Sequence, residues 1–392
     1  MRSRTLRRTL AAAGLALVAA VPPRVDAKEP PLAAVTLVGA VETVFSAKRD
    51  ACDGDDVPDA PVRAFRDAGG GIVMFGLHTQ NRALRGPDLR RLKICCDPAM
   101  PSKGDADPAA YDDASWITAT WTEDGTRVAA LVHHEYQANT HPGRCARKEY
   151  LACWYNTIVA VASKDGGRSF ERAAPLPVVA AAPFRQETGQ GRHRGFFNPS
   201  NIFGDGRHRY FFSSTTGWAG QDGGACLFRS DDPADPTSWR AHDGRDFSVR
   251  FGDPYRGGAG KGTCRTVWPF PAPVGSVVRH RPTGAWIAVF QAAANADTFP
   301  EAGFYTTSSR DLLAWDKPRL LLAGKTLYDD PCGSGGRLVS YPSLIDPEAE
   351  GRNFDDVGAT ADLYWASLKV EGCQVTSDRD LLRRRVAIHV LP

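Results

Sequence analysis

Ser163-Lys164-Asp165-Gly166-Gly167-Arg168-Ser169-Phe170 fits the pattern S-x-D-x-G-x-[ST]-[WF] and follows an apolar run at residues 158–162. The short carboxylate of Asp165 is placed to accept hydrogen bonds from the N–H groups of its own turn. The glycines take positive φ without steric cost, and Phe170 is expected to fill the space beneath the hairpin. Weaker copies recur at intervals of roughly 65 to 80 residues, the signature of a stacked or radial array. They are Gly86-Pro87-Asp88-Leu89, Ser230-Asp231-Asp232-Pro233 running on to Trp239, Ser309-Arg310-Asp311 running on to Trp315, and Ser377-Asp378-Arg379-Asp380-Leu381. Each follows or joins a short strand-like run, such as residues 303–307 before the fourth.

The octapeptide resembles the Asp box of sialidase-like β-propellers, where it closes the outer hairpin of a blade away from the catalytic centre. Helical periodicity is nearly absent, so the expected class is all-β. The architecture is a β-propeller of five blades, with six as the alternative, each a four-stranded antiparallel sheet.

Residues 1–27 read as an export signal: Arg2, Arg4, Arg7 and Arg8 precede an apolar core at 10–21, and Val25-Asp26-Ala27 offers a cleavage site. That core is too short to span a bilayer. The protein is therefore expected to be exported, to the periplasm or the extracellular space, with no membrane span. The leader carries five arginines and one aspartate, so its removal takes the formal charge of +3 to about −1. A chain without a basic excess gives no ground for nucleic-acid binding. Residues 28–392 are expected to form a single propeller domain, because no Pro/Ser-rich linker or long charge run divides them.

Nine cysteines in an exported chain point to disulfides. The expected pairs are Cys145 with Cys153, Cys226 with Cys264, Cys332 with Cys373, and Cys52 with either Cys95 or Cys96, leaving one thiol over.

Alternation and turn signals place the first two strands of each blade at 62–67 and 71–78, 115–122 and 127–136, 198–203 and 208–214, 266–270 and 285–290, and 339–344 and 361–368. Residues 34–45 form a further strand that closes the ring against the last blade. Ligands of such a fold meet the rim where inner strands begin and second strands end. The rim candidates are Asp59, Arg63, Asn198, Arg265 and Tyr341 at strand starts, with His78, Arg82, His134, Glu135 and Tyr136 after second strands. Along His133-His134-Glu135-Tyr136, alternation sets His134 and Tyr136 on one face and His133 and Glu135 on the other.

In propeller glycosidases of the arabinanase and invertase types, an Asp at the start of the first inner strand is an ionised carboxylate, which by resemblance implies that role for Asp59. Sialidases use a tyrosine nucleophile beside an arginine triad, for which Arg63, Arg265 and Tyr341 are the corresponding residue types. The expected function is that of a secreted glycan-processing protein, a glycoside hydrolase with two carboxyl groups flanking the glycosidic bond. Glu135 is the expected proton donor, its pKa raised by His and aromatic neighbours, and Asp59 the base or nucleophile. His134, Arg63 and Arg265 would orient the substrate, while His78, Arg82, Tyr136, Asn198 and Tyr341 line the pocket. The partner is a carbohydrate or glycoconjugate, the protein is a monomer, and no cofactor is required, a structural calcium ion in the channel being left open. The alternative is a non-catalytic carbohydrate-binding or protein-interaction propeller of the cell envelope, favoured by the lack of a carboxylate at Phe196-Phe197-Asn198.

Overall fold

The computed structural model describes residues 32–173, 177–258, 260 and 262–391, so the expected export signal lies outside the described residues. The described chain is all-β, with a four-residue helix at Ala47–Asp50 and two single 3-10 turns. Consecutive strands pair antiparallel in meanders. The first runs through Pro58–Arg66, Ile72–Leu77, Leu84–Gly86 and Lys93–Ile94. A second (Ala114–Trp121, Val128–Gln137, Trp154–Ser163) and a third (Arg209–Thr215, Gly224–Ser230, Arg240–His242, Phe247–Val249) join into one sheet through Arg194–Phe197. The fourth comprises Val274–His280, Trp286–Ala292, Gly303–Ser309 and Arg319–Ala323. The last comprises Arg337–Ile345, Thr360–Glu371 and Gln374–Val390, with Ala33–Ser46 as its outermost strand.

Apolar side chains from neighbouring meanders meet in successive clusters. Phe65 and Phe75 pack on Val132 and Val161, Leu131 and Ile158 on Phe211 and Phe228, and Phe212 and Leu227 on Val277 and Phe290. Val289 and Phe304 then meet Leu363 and Trp365. Val62 and Met74 of the first meander pack on Ile345 and Tyr364 of the last, which closes the ring. Burying each such side chain contributes about 1.5–3 kcal/mol. The result is a propeller-like arrangement whose start and end are stitched by ten paired positions between Ala33–Ser46 and Gln374–Val390.

The turn at 163–170 has the expected bonding. Asp165 Oδ1 accepts from the N–H groups of Arg168 and Ser169 at 2.9 and 3.0 Å, and Oδ2 accepts from Ser169 Oγ at 2.6 Å. Gly167 (φ +77) lies so close to Phe65 that a Cβ there would meet the ring at 2.8 Å, and Phe170 packs edge-on against Phe75. Asp311 repeats the pattern by accepting from Leu313 and Ala314, and Asp232 by accepting from Ala234. The fifth copy does not repeat it. Residues 377–381 lie inside the continuous strand Gln374–Val390, where Arg379 pairs with Leu368 and Asp380 with both Ser46 and Ser367.

Two expected inner strands also differ. Residues 266–270 are not a strand, because Pro269, Pro271 and Pro273 remove backbone donors there; the strand is Val274–His280. The third meander begins irregularly, since Asn198 takes φ +47 before Pro199, and of the expected strand at 198–203 only Phe203 is in a strand, the short Phe203–Gly204, paired with Arg209–Thr215.

Four disulfides form: Cys52–Cys96, Cys145–Cys153, Cys226–Cys264 and Cys332–Cys373. Cys95 is the remaining free thiol. Among the described residues no helix is long and apolar enough to cross a membrane.

Candidate active site

Arg63 marks the axis. It is 3% exposed, and its five N–H donors reach every meander. Nε donates to the Thr118 carbonyl at 2.5 Å, Nη1 to the Val62 carbonyl and to Ser343 Oγ, and Nη2 to the carbonyls of Pro199 and Gly275. No donor remains for a substrate, so Arg63 is a structural hub and is corrected from a substrate-binding residue. Burial lowers its pKa to about 9, which still leaves it charged at neutral pH. A calcium ion at this point does not fit, because the guanidinium already supplies the positive charge facing these carbonyls.

The site lies at the end of the ring where Pro58–Arg66 begins and Val128–Gln137 ends. Asp59 and Glu135 stand there with side chains 17% and 16% exposed. Asp59 Oδ1 receives Nη1 of Arg379 and, at 3.3 Å, the hydroxyl of Tyr341. His78 Nε2 stands 3.7 Å from Oδ2. Burial pushes the Asp59 carboxyl up, against the charges of Arg379 and His78, and the charge of Glu135 adds to the rise.

Glu135 is held differently. Oε1 meets His133 Nε2 at 2.8 Å, and Oε2 accepts from Gln137 Nε2 at 2.9 Å. Burial works to raise its pKa, but the hydrogen bonds from His133 and Gln137 bring it below the ordinary value. The expected rise in the Glu135 pKa is thus corrected: its hydrogen-bond partners favour the ionised form. His133 Nδ1 accepts the Asn198 N–H at 3.1 Å, which assigns the ring proton to Nε2, facing Glu135. Beyond it, Asn156 Oδ1 bonds His193 Nε2 at 2.8 Å, and burial lowers His193 to about 4. Gly195 permits this crowding, since a Cβ there would lie 2.0 Å from the Asn156 carbonyl oxygen. The rings of His78, Trp116 and His133 then bridge from Asp59 towards Glu135, with successive centroids 5.6 and 5.8 Å apart.

Of the expected site residues, the structure brings Asp59, His78, Glu135 and Tyr341 together, with Asn198 held to them through its backbone. Asn198 and Tyr341 both take positive φ, at +47° and +61°, backbone strain of a kind that collects at functional sites.

Four more expected residues lie elsewhere. His134 and Tyr136 take the opposite face of their strand, as alternation requires. His134 is buried against Tyr111, and burial lowers its pKa to about 3. Tyr136 is buried, donates to the Ala106 carbonyl and stacks on His141. Arg82 is committed to Asp53, Asp56 and the Cys96 carbonyl, bracing the loop tied by Cys52–Cys96. Arg265 is exposed beside Gly244 of an outer hairpin, its N–H bonded to the His242 carbonyl. Asp113 is also structural: its Oδ2 accepts the Gln137 N–H at 2.7 Å and so fixes the strand end that bears Glu135.

Arg379 escaped sequence reasoning because it sits inside a polar stretch that resembled a turn. Among the described residues no group of three or more His, Cys, Asp or Glu side chains is placed to hold a metal ion.

No protein-family profile matches the chain, and no curated protein does. Several solved structures follow a similar course. A protein of unknown function from Dyadobacter fermentans aligns with TM-score 0.47 and 11% identity, over 90% of this chain and 100% of its own. An alpha-L-arabinanase from Cellvibrio cellulosa aligns with TM-score 0.46 and 12% identity, over 83% and 90%. An alpha-L-arabinofuranosidase from Podospora anserina, in complex with cellotriose, aligns with TM-score 0.46 and 10% identity, over 92% and 98%.

Proposed function

We propose that the chain is an exported, monomeric five-bladed β-propeller of the Asp-box type that cleaves glycosidic bonds with Asp59 and Glu135. The observation that carries this reading is that Asp59 and Glu135 stand partly exposed at one end of the ring, each held by its own polar partners, Tyr341 and His78 for Asp59 and His133 and Gln137 for Glu135; burial favours the protonated form of Asp59, and the hydrogen bonds of Glu135 favour its ionised form. Such a divided pair is what acid and base roles require at one pH. Asp59 is the proton donor to the leaving oxygen. Glu135 is the ionised partner, acting as base on water or as nucleophile. His133 orients Glu135 through its Nε2–H, while Tyr341, His78 and Arg379 set the position and charge of Asp59. The four disulfides support export to an oxidising compartment.

One observation favours a binding-only propeller: the Arg379 guanidinium directly engages Asp59. Hydrolysis of a glycan panel by wild type, Asp59→Asn and Glu135→Gln separates the two readings. Turnover lost in both variants with unchanged melting supports the enzyme. Glycan binding without turnover in wild type supports the alternative.

A further inference from the structure

Tyr150 and Tyr328 are the only tyrosines among the large exposed apolar side chains of the described residues, 63% and 48% exposed. Both belong to loops held in place. The loop of Tyr150 is closed by Cys145–Cys153, and its Ala146 N–H bonds the Thr188 carbonyl at 2.8 Å. In the loop of Tyr328, Asp329 Oδ2 accepts from Thr326 N and Oγ1 at 2.8 and 2.9 Å, and Cys332–Cys373 anchors its far end.

A chain of contacts runs from each tyrosine to one of the two carboxylates, and the Tyr150 hydroxyl feels the charge of both. The Tyr150 ring lies 4.8 Å from that of Trp154, whose indole N–H donates to Asn139 Oδ1 at 2.6 Å. Trp154 meets His193 edge-on, and His193 bonds Asn156, the cross-strand neighbour of Glu135. On the other side, Gln291 Oε1 accepts from Ser340 Oγ and Tyr341 N, both at 2.8 Å, and the Gln291 side chain also engages the Tyr328 hydroxyl. Leu327 packs in the same cluster as Tyr341, whose hydroxyl reaches Asp59.

We infer that Tyr150 and Tyr328 are two stacking platforms beside the carboxylate pair, and that the ligand is a chain of several sugar rings lying across the face. This rests on the glycan reading above and adds the length of its substrate. Tyrosine gives a large, rigid, amphipathic surface with few rotamers to lose, suited to the C–H face of a sugar whose hydroxyls stay in water. Loops stapled by disulfides hold such platforms at fixed spacing.

The test measures binding by calorimetry in the Glu135→Gln protein, which leaves any substrate intact. The probes are arabinan, xylan, cello-, chito- and sialylated oligosaccharides of two to eight residues. Affinity for the bound series is expected to rise with chain length up to about six residues. Tyr150→Ala and Tyr328→Ala are each expected to weaken the hexasaccharide about tenfold and to leave the disaccharide within about twofold. Tyr150→Phe and Tyr328→Phe retain the ring and bind as their parent. Length-independent affinity, hexasaccharide binding unchanged in both alanine variants, or no binding of any probe overturns the platforms. Because turnover is not read, failure of the acid/base assignment shows separately, as undiminished hydrolysis by Glu135→Gln.

Discussion

His133 Nε2 lies 2.8 Å from Glu135 Oε1, while the other nitrogen of the same ring is occupied by the Asn198 N–H. The imidazole is thereby pinned from a neighbouring meander with its proton directed at the carboxylate. The ionised form of Glu135 is favoured by a residue two positions away on its own strand, and that residue is oriented by the backbone of Asn198, which takes positive φ.

Removing this support shifts the acid side of the pH profile. Because His133 lowers the Glu135 pKa, His133→Ala is expected to raise it, moving the acid limb of kcat/KM to higher pH. His133→Gln, which can still donate, is expected to shift the limb less. An acid limb unmoved by His133→Ala contradicts the orienting role.

In the proposed mechanism the alkaline limb reports Asp59, whose carboxyl is raised by burial and held back by Arg379. The active form in that mechanism has Glu135 ionised and Asp59 protonated, which predicts a bell-shaped profile. Arg379→Gln removes a positive charge that favours the ionised form, so the Asp59 pKa rises and the alkaline limb moves to higher pH. A shift to lower pH excludes Asp59 as the proton donor.

Both carboxylates were visible in the sequence at the ends of strands, and alternation separated His133 and Glu135 from His134 and Tyr136. Alternation does not say which face looks inward. That is settled by Tyr111, which packs on His134, and by the Asn198 N–H, which meets His133 from another meander. Arg63 was legible as an inward residue at a strand start, but its partners are carbonyls with no side-chain signature. Arg379 was hidden because a polar stretch turns or extends according to its neighbours, and here Thr360–Glu371 and Ala33–Ser46 flank it on both sides.

Arg63→Met is expected to leave the carbonyls of Thr118, Pro199 and Gly275 unpaired at the axis. Each buried carbonyl left without a donor costs about 1–3 kcal/mol, readable as a lower urea midpoint. Stability within about 1 kcal/mol of wild type contradicts the hub.

Asp165 contributes stability with a defined sign. Burial opposes its ionisation, but bonds from Ser169, Ser163 and Arg168 lower its pKa to about 2. Its contribution is therefore complete above the unfolded carboxylate value of about 4 and is lost as pH falls through about 2. Because the carboxylate is exposed and its bonds are screened by water, Asp165→Ala is expected to cost about 1 kcal/mol at pH 7, with the difference from wild type narrowing in acid. A difference independent of pH down to about 2 contradicts the turn's reliance on an ionised carboxylate.

The most direct measurement is release of reducing ends from a panel of bacterial, plant and sialylated glycans by the oxidised mature protein, alongside Glu135→Gln and Asp59→Asn. The expected result is turnover of one glycan class by wild type and a loss of about 10²–10⁴-fold in each variant, with melting unchanged. Turnover retained near the wild-type rate in either variant, or a wild-type protein that binds a glycan and never cleaves it, contradicts hydrolysis by this carboxylate pair.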